Sequence, residues 1–457
     1  MMDSGLTQFP GSRLADAVRG VRRTRLVENR GRVVQLIGLV IESQGPMAAV
    51  GEVCRIESPR RDEVTYAEVV GFRNEHVLLM PLGPLHGIHP GCEVIATGRP
   101  LEVPVGESLL GRVVNGLGQP IDGRGPLNTE LRAPTTMSPP HPLRRRRINQ
   151  VFETRIRTLD TLLPCGRGQR LGIFAGSGVG KSTLLGMMAG HAEADVNVIA
   201  LIGERGREVR EFMERDLSPE GRRKSIVVVA TSDEPALVRL KAASVAMAMA
   251  EHFRDAGRNV LLLMDSVTRF AMAQREVGLA VGEPPATRGY TPSVFSVLPQ
   301  LLERAGSGEN GTITAYFTVL VEGDDMNEPV ADTVRGILDG HVVLTRALAE
   351  RNHYPAIDVL QSVSRLTREL CSKDQLAAAA EARELLAVHH QNQDMINLGA
   401  YVAGSNPAVD RSIKLNPALT AFLKQGVSEE VAPTEAWRQL GTILGRPSVE
   451  SKSPASA

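Results

Sequence analysis

The spacing of hydrophobic positions changes several times along the chain, and each change marks a different kind of structure. Between residues 12 and 30, Leu14, Val18 and Val21 recur at helical spacing beside Arg19, Arg22 and Arg23, which predicts a short basic amphipathic helix. Such a helix either packs on its own domain or meets an acidic partner or a lipid surface. From Gly31 to Gly98 short β-type runs (VVQLIGLVIE, YAEVVGF, HVLLMPL, CEVIAT) alternate with Gly-, Pro- and Arg-rich turns, the pattern of a small β-barrel in a domain of its own. A Pro/Gly-rich stretch, Val103 to Pro142, connects it to the next domain, and the run Arg144 to Arg147 reads either as a solvated face or as a contact for an anionic partner or subunit.

Beyond that stretch, apolar runs (LGIFA, VNVIALIG, SIVVVATS, NVLLLMD, TITAYFTVLVE) are each followed by helix-compatible sequence. Runs without polar alternation suit strands buried on both faces, so the expected fold is α/β: a parallel sheet with covering helices. After Arg365 the sequence turns alanine-rich and strand-poor (DQLAAAAEARELLAV, PALTAFLKQ), predicting a terminal helical domain, and GRPSVESKSPASA has the composition of a disordered tail. The expected divisions are 1–30, a partner-binding segment; 31–100, the barrel; 101–370, the α/β domain; 371–445, the helical domain; and 446–457, the tail.

Composition narrows the classes of function. The 457 residues balance 52 Lys and Arg against 52 Asp and Glu, so no global field favours nucleic acid. Cys54, Cys92, Cys165 and Cys371 are far apart, without C-x-x-C or Cys/His pairing, and read as reduced packing residues. No apolar run approaches the roughly 18 residues that cross a bilayer, and MMDSGLTQFP lacks a charged-then-apolar leader, which gives the expectation of a cytoplasmic protein.

The chemistry concentrates at Leu171 to Leu185, LGIFAGSGVGKSTLL. Glycines at 176, 178 and 180 let successive backbone N–H groups of Gly176, Ser177, Gly178, Val179 and Gly180 turn toward one anion, and the helix after them adds its positive end. Lys181 would reach the β- and γ-phosphates of a bound nucleotide, Ser182 would ligate Mg²⁺, and Thr183 continues the site into the helix. Position 175 carries Ala where the strict phosphate-loop pattern has Gly, which is tolerable if no positive φ is needed there. Downstream, NVLLLMD delivers Asp265 to a strand end, where a carboxylate can organise Mg²⁺, and VNVIALIGERGREV delivers Glu204 and Arg205. Glu204 is either a water-polarising carboxylate or a helix N-terminal charge. Asp324 and Asp325 read as turn residues rather than a second metal site, His389 and His390 fall on different helix faces, and Asn310-Gly311-Thr312 reads as a turn.

The segments GRVVNGLGQPIDG, AGSGVGKST, IGERGREV, LLLMDSVTRFAMAQREV, VEGDDMNEP and YPAIDVLQSVSR occur in an order that resembles the rotary ATP synthase catalytic-subunit superfamily. AGSGVGKST, MDSVTRFAMAQREVGLAVGEPPATRGY and LDGHVVLTRALAERNHYPAID are most similar to its flagellum-specific branch, the ATPases of the type III export apparatus. The resemblance implies that Glu204 activates water, that Lys181 and Arg205 contact the γ-phosphate, that Asp265 organises Mg²⁺ through water, and that Tyr354 stacks on adenine. It implies too that Arg365 serves the site of a neighbouring subunit, so that a homo-oligomeric, hexameric ring is needed. By the same resemblance, the N-terminal segment meets a regulatory partner. The C-terminal domain meets a coiled-coil stalk protein and export chaperones, and the chain sits peripherally at a membrane export gate. Alternatives are a virulence-type secretion ATPase, a rotary synthase subunit, or an RNA translocase; the last is disfavoured because residues 31–98 hold Tyr66 and Phe72 as their aromatics.

Overall fold

The computed structural model describes residues 28–58, 64–321, 323 and 325–446. The basic helix expected before residue 28, the tail from 447 onward and Asp324 lie outside the described residues. The chain divides into two compact units, at Pro100 and Leu101.

The first unit is a closed antiparallel barrel of β1 (Arg30–Ile37), β2 (Val40–Gln44), β3 (Glu52–Glu57), β4 (Val64–Arg73), β5 (His76–Pro81) and β6 (Glu93–Pro100), in the order β1-β2-β5-β4-β3-β6. It closes where Arg30 to Arg32 pair with Glu93 to Ile95. Val33, Ile41, Ile56, Val69, Leu79 and Val94 fill the interior. The run VVQLIGLVIE is a hairpin rather than one strand, since Gly38 takes φ 59° and turns β1 into β2. β3 has no counterpart among the runs read from sequence. Its Cys54 and Ile56 face the core between Glu52, Arg55 and Glu57, so charge hides a correct alternation.

The second unit is built on a sheet of β7 (Val113–Asn115), β8 (Arg170–Ala175), β9 (Val196–Ile202), β10 (Ser225–Ala230), β11 (Asn259–Asp265), β12 (Gly306–Ser307), β13 (Thr312–Leu320), β14 (Gly340–Leu344) and β15 (Ile357–Ser364). The order is β15-β14-β8-β13-β11-β9-β10-β7, with short β12 beside β13. All neighbours along that path run parallel except β14 and β15, and β12 is antiparallel to β13. β9 and β10 are buried throughout, and alternate residues feed opposite cores: Val198, Ala200 and Ile202 one, Ile199 and Leu201 the other. This is why those runs carry no polar alternation. The covering helices include α1 (Lys181–His191), α2 (Ala236–Asp255) and α3 (Val267–Val281).

The Pro/Gly-rich stretch is more than a connector, because its Val113 to Asn115 form the edge strand β7, paired with Val227 to Val229. Arg112 donates to Asp122 at 2.7 and 3.0 Å, closing the turn between them and holding that carboxyl well below its usual range. Within the arginine run, Arg145 donates to the carbonyl oxygens of Ala305 and Glu303, whereas Arg146 and Arg147 are exposed.

Arg304 and Glu251 form a bidentate pair at 2.9 and 2.6 Å with side chains 6% and 2% exposed, and Arg304 also donates to the Thr135 carbonyl at 2.9 Å. Arg304→Met would strand the Glu251 carboxylate, and the expected loss is about 3–5 kcal/mol of unfolding free energy. Urea titration should show Glu251→Leu/Arg304→Met to be much closer to the parent than Arg304→Met alone.

After β15 come α4 (Lys373–Asn397), α5 (Pro407–Leu423) and α6 (Pro433–Leu444). Ser372 and Gln375 form a capping box at the start of α4, and the Asn406 side chain with Pro407 starts α5. Leu385, Leu419, Phe422, Trp437 and Leu440 make their shared core. All four cysteines are buried and free. No described helix is long and apolar enough to cross a membrane.

Candidate functional site

The glycine-rich loop leaves the carboxyl end of β8, where Ala175 is 1% exposed and pairs with Leu320 and Leu344 on the flanking strands. Ala175 is thus the last residue of the strand, in extended backbone that needs no glycine. Gly178 and Gly180 do need it, at φ 78° and 87°. Val179 is buried in the core and pins the loop, and α1 starts at Lys181 with its first-turn N–H groups facing the loop. Tyr354, 42% exposed, lays its ring over this turn: a Cβ on Gly180 would stand 3.3 Å from it.

Glu204 follows β9 and Asp265 ends β11, adjacent strands in register at Leu201 and Asp265, so both carboxylates emerge at one edge of the sheet. Lys181 Nζ lies 2.5 Å from Asp265 Oδ1 and 3.5 Å from Glu204 Oε1, and Thr318 Oγ1 donates to Asp265 Oδ1 at 2.7 Å. Burial works against the Lys181 ammonium, but the two carboxylates outweigh it and hold its pKa above the ordinary value. Burial, then the Asp265 charge, pushes the Glu204 carboxyl up to about 7, with Lys181 opposing. A carboxyl poised near neutrality beside a buried cation can take a proton from water while a charge-bearing substrate is held.

Other residues singled out from sequence sit elsewhere. Ser182 and Thr183 are on the first turn of α1, with Ser182 exposed. Arg205 points to solvent, its side chain 77% exposed and 3.5 Å from Glu208, so it does not join the Lys181 cluster. Arg365 follows β15, whose Ser364 pairs with Gly340 at the start of β14, whereas Ala175 beside the loop pairs with Leu344 at its end. Four strand residues separate the two edges, about 13 Å, so Arg365 stands at the edge opposite its own chain's loop. Its guanidinium is exposed, and Nη2 donates to the Arg335 carbonyl at 3.2 Å.

Two residues of this edge were not legible as functional. Thr318 looks like any β-branched residue of a buried strand. Arg269 packs its stem on Gly203, where a Cβ would fall 2.8 Å from Arg269 Cβ, and its Nε is buried without a hydrogen-bond partner among the described residues. Its signal in the sequence is a position in the first turn of the helix after Asp265. Asp325 is bound within its turn, accepting from Asn327 N at 3.0 Å and from Arg288 at 3.1 Å. No group of three or more His, Cys, Asp or Glu able to hold a metal occurs among the described residues.

Three family models match the chain in the order of its domains. They are the ATP synthase alpha/beta family beta-barrel domain at residues 33–98, the nucleotide-binding domain of the same family at 155–364, and the T3SS EscN ATPase C-terminal domain at 371–442. The flagellum-specific ATP synthase of Bacillus subtilis is 54% identical over 432 residues, spanning 93% of this chain and 97% of that protein. The chain belongs to the ATP synthase alpha/beta family. Within that family it is similar to flagellum-specific ATP synthases, including that of Treponema pallidum, 53% identical across 93% of this chain and 95% of that one. It is similar too to a type 3 secretion system ATPase of Xanthomonas euvesicatoria, 50% identical over 86% of this chain and 89% of that one. The assembled ATPase EscN of the enteropathogenic E. coli type III secretion system superposes with a TM-score of 0.86 at 44% identity, covering 91% of this chain and all of that one. As a member of this family the chain is an ATPase, and the loop at Gly176 to Thr183 belongs to its nucleotide-binding domain.

Proposed function

We propose that this chain hydrolyses ATP to energise the export of flagellar proteins, working as a homo-oligomeric, hexameric ring whose catalytic sites are completed across subunit boundaries. The observation that carries the reading is the division of one site over two edges of the sheet: Lys181, Glu204 and Asp265 meet at the carboxyl edge, and Arg365 stands at the other. A single chain cannot bring Arg365 to its own phosphates, but a ring of identical copies can bring it to the next chain's.

In this reading the N–H groups from Gly176 to Thr183 cradle the phosphates and Lys181 exchanges its carboxylate partners for the β- and γ-phosphate oxygens. Tyr354 covers the base. Glu204 orients the attacking water and accepts its proton. Arg269, half-buried beside Gly203, adds a cation at the γ-phosphate, and the exposed Arg205 swings inward from Glu208 to add another. Thr318 positions Asp265.

The Ser182 hydroxyl and the Asp265 carboxylate would hold a metal, with the Glu204 carboxylate nearby and no His or Cys, and that hard, sparse oxygen set suits Mg²⁺ held jointly with phosphate oxygens. Bound there, Mg²⁺ supplies neutralisation of phosphate charge. Residues 101–370 form the catalytic domain and 371–445 the partner-binding one.

The relative EscN has been described in complex with its central stalk EscO. A coiled-coil stalk partner for this chain is supported by Met395, Leu398 and Val402, exposed at 49%, 81% and 71% at the tip of the α4–α5 hairpin. Export chaperones, an export gate and peripheral attachment to the inner membrane complete the reading, with a regulatory partner on residues 1–30. The direct test is complementation of a motile bacterium lacking its flagellar ATPase. This chain is expected to restore swarming in soft agar, and Lys181→Ala is not. Rescue of an injectisome mutant without any rescue of motility would transfer the assignment to virulence-type secretion.

A further inference from the structure

A cavity of about 480 Å³ lies away from the phosphate loop, between β15 with the segment preceding it and the helices α4 and α5. That volume falls within the range of small-molecule sites, roughly 300–1,000 Å³. Its lining mixes the apolar side chains of Leu348, Ile357, Leu386 and Leu423 with the basic ones of Arg351, His353, His389, His390 and Lys424.

The charges of this cavity do not balance. Asp358 also lines it, but its carboxylate already accepts from Leu360 N at 2.9 Å, Gln361 N at 3.1 Å and Gln361 Nε2 at 2.8 Å. The side chains of Arg351, Lys424, His389 and His390 have no hydrogen-bond or ion-pair partner among the described residues. His353 is 6% exposed, and its Nε2 is buried with no hydrogen-bond partner among the described residues. Burial, then the Lys424 charge, keeps its imidazole below the ordinary range, so near pH 7 it is neutral and its Nε2–H tautomer can donate one hydrogen bond.

A water molecule would satisfy Nε2, but it would leave the exposed Arg351 and the half-buried Lys424 with the Asp358 carboxylate as their one opposing charge in a partly apolar hollow. A ligand that meets every one of these features carries an acidic group at one end and a hydrocarbon body at the other. We propose that this cavity binds a small organic anion, a carboxylate or phosphate ester, whose acid group pairs with Arg351 and Lys424 and accepts from His353 Nε2 while its apolar body lies on Leu386 and Leu423. The site is separate from the nucleotide site but adjoins it in the chain. His353 precedes Tyr354, Lys424 precedes Gln425, and Gln425 N donates to the Tyr354 carbonyl at 2.9 Å.

The test uses the full chain saturated with ADP, so that the phosphate loop is filled, and titrates it with 2-naphthoate and with the uncharged 2-naphthalenemethanol by calorimetry. The expected result is saturable binding of one naphthoate per chain, with the alcohol at least about tenfold weaker. Arg351→Gln/Lys424→Gln should weaken naphthoate by about tenfold or more, and Leu386→Trp, which fills the cavity, should abolish it. Both variants lie outside the catalytic machinery, and parental ATP hydrolysis certifies that they fold. The proposal is overturned if no saturable binding occurs up to about 10 mM. Equal affinity for the alcohol, or naphthoate binding unchanged in the folded variants, overturns it as well.

Discussion

Arg365→Ala is expected to lower the maximal rate of ATP hydrolysis by about 10³ to 10⁵, or roughly 4–7 kcal/mol of barrier, while nucleotide affinity stays near the parental value. The loss comes from the γ-phosphate of the neighbouring chain, since in its own chain Arg365 stands at the far edge of the sheet. The parental enzyme should therefore show specific activity that rises with protein concentration as subunits assemble, and the variant should not, even where sedimentation finds the same assembly. Turnover independent of concentration in a sample that sediments as a monomer would sink the shared site.

Glu204→Gln should reduce kcat by about 10² to 10⁴, the usual contribution of a positioned base, and leave binding of a fluorescent ATP analogue intact. The amide fits the same space and cannot accept the proton. Because burial and Asp265 raise the Glu204 carboxyl to about 7, and the ionised form is the active one, kcat/KM of the parent should fall about tenfold per pH unit below that value. Above it the profile should be flat. In Glu204→Gln the residual activity should lose this acid limb; an unchanged limb would assign it to another group, and near-parental turnover would remove Glu204 from the chemistry.

Asp265 and Glu204 show how far local sequence reaches. Asp265 ends a run of buried residues and Glu204 comes two residues after another, and such a run predicts a parallel strand whose carboxyl end lands at the carboxyl edge. The loop is legible for the same reason: Gly178 and Gly180 are there because the backbone takes positive φ, and Ala175 is there because the strand does not. Thr318 and Arg269 lack such a signal. Thr318 acts by hydrogen bonding a carboxylate 53 residues away, and Arg269 by packing against Gly203, contacts that no window of neighbouring residues contains. β7 is missed for a related reason: three residues between turns become a strand because Val227 to Val229 offer an unpaired edge.

By itself, then, the sequence determined the order of barrel, α/β sheet and helices, and the residues of the phosphate loop, because these arise from hydrophobic period and from backbone conformations that particular residues alone adopt. Strand order was beyond it. The position of β8 between β13 and β14, which sets the loop beside Asp265 and Thr318, depends on pairings between distant segments. So does the reversal of β15, which sends Arg365 to the opposite edge. The physical reason is that strand pairing joins whichever buried edges match after the chain has collapsed, and so whether Arg365 faces its own site or a neighbour's is decided in three dimensions.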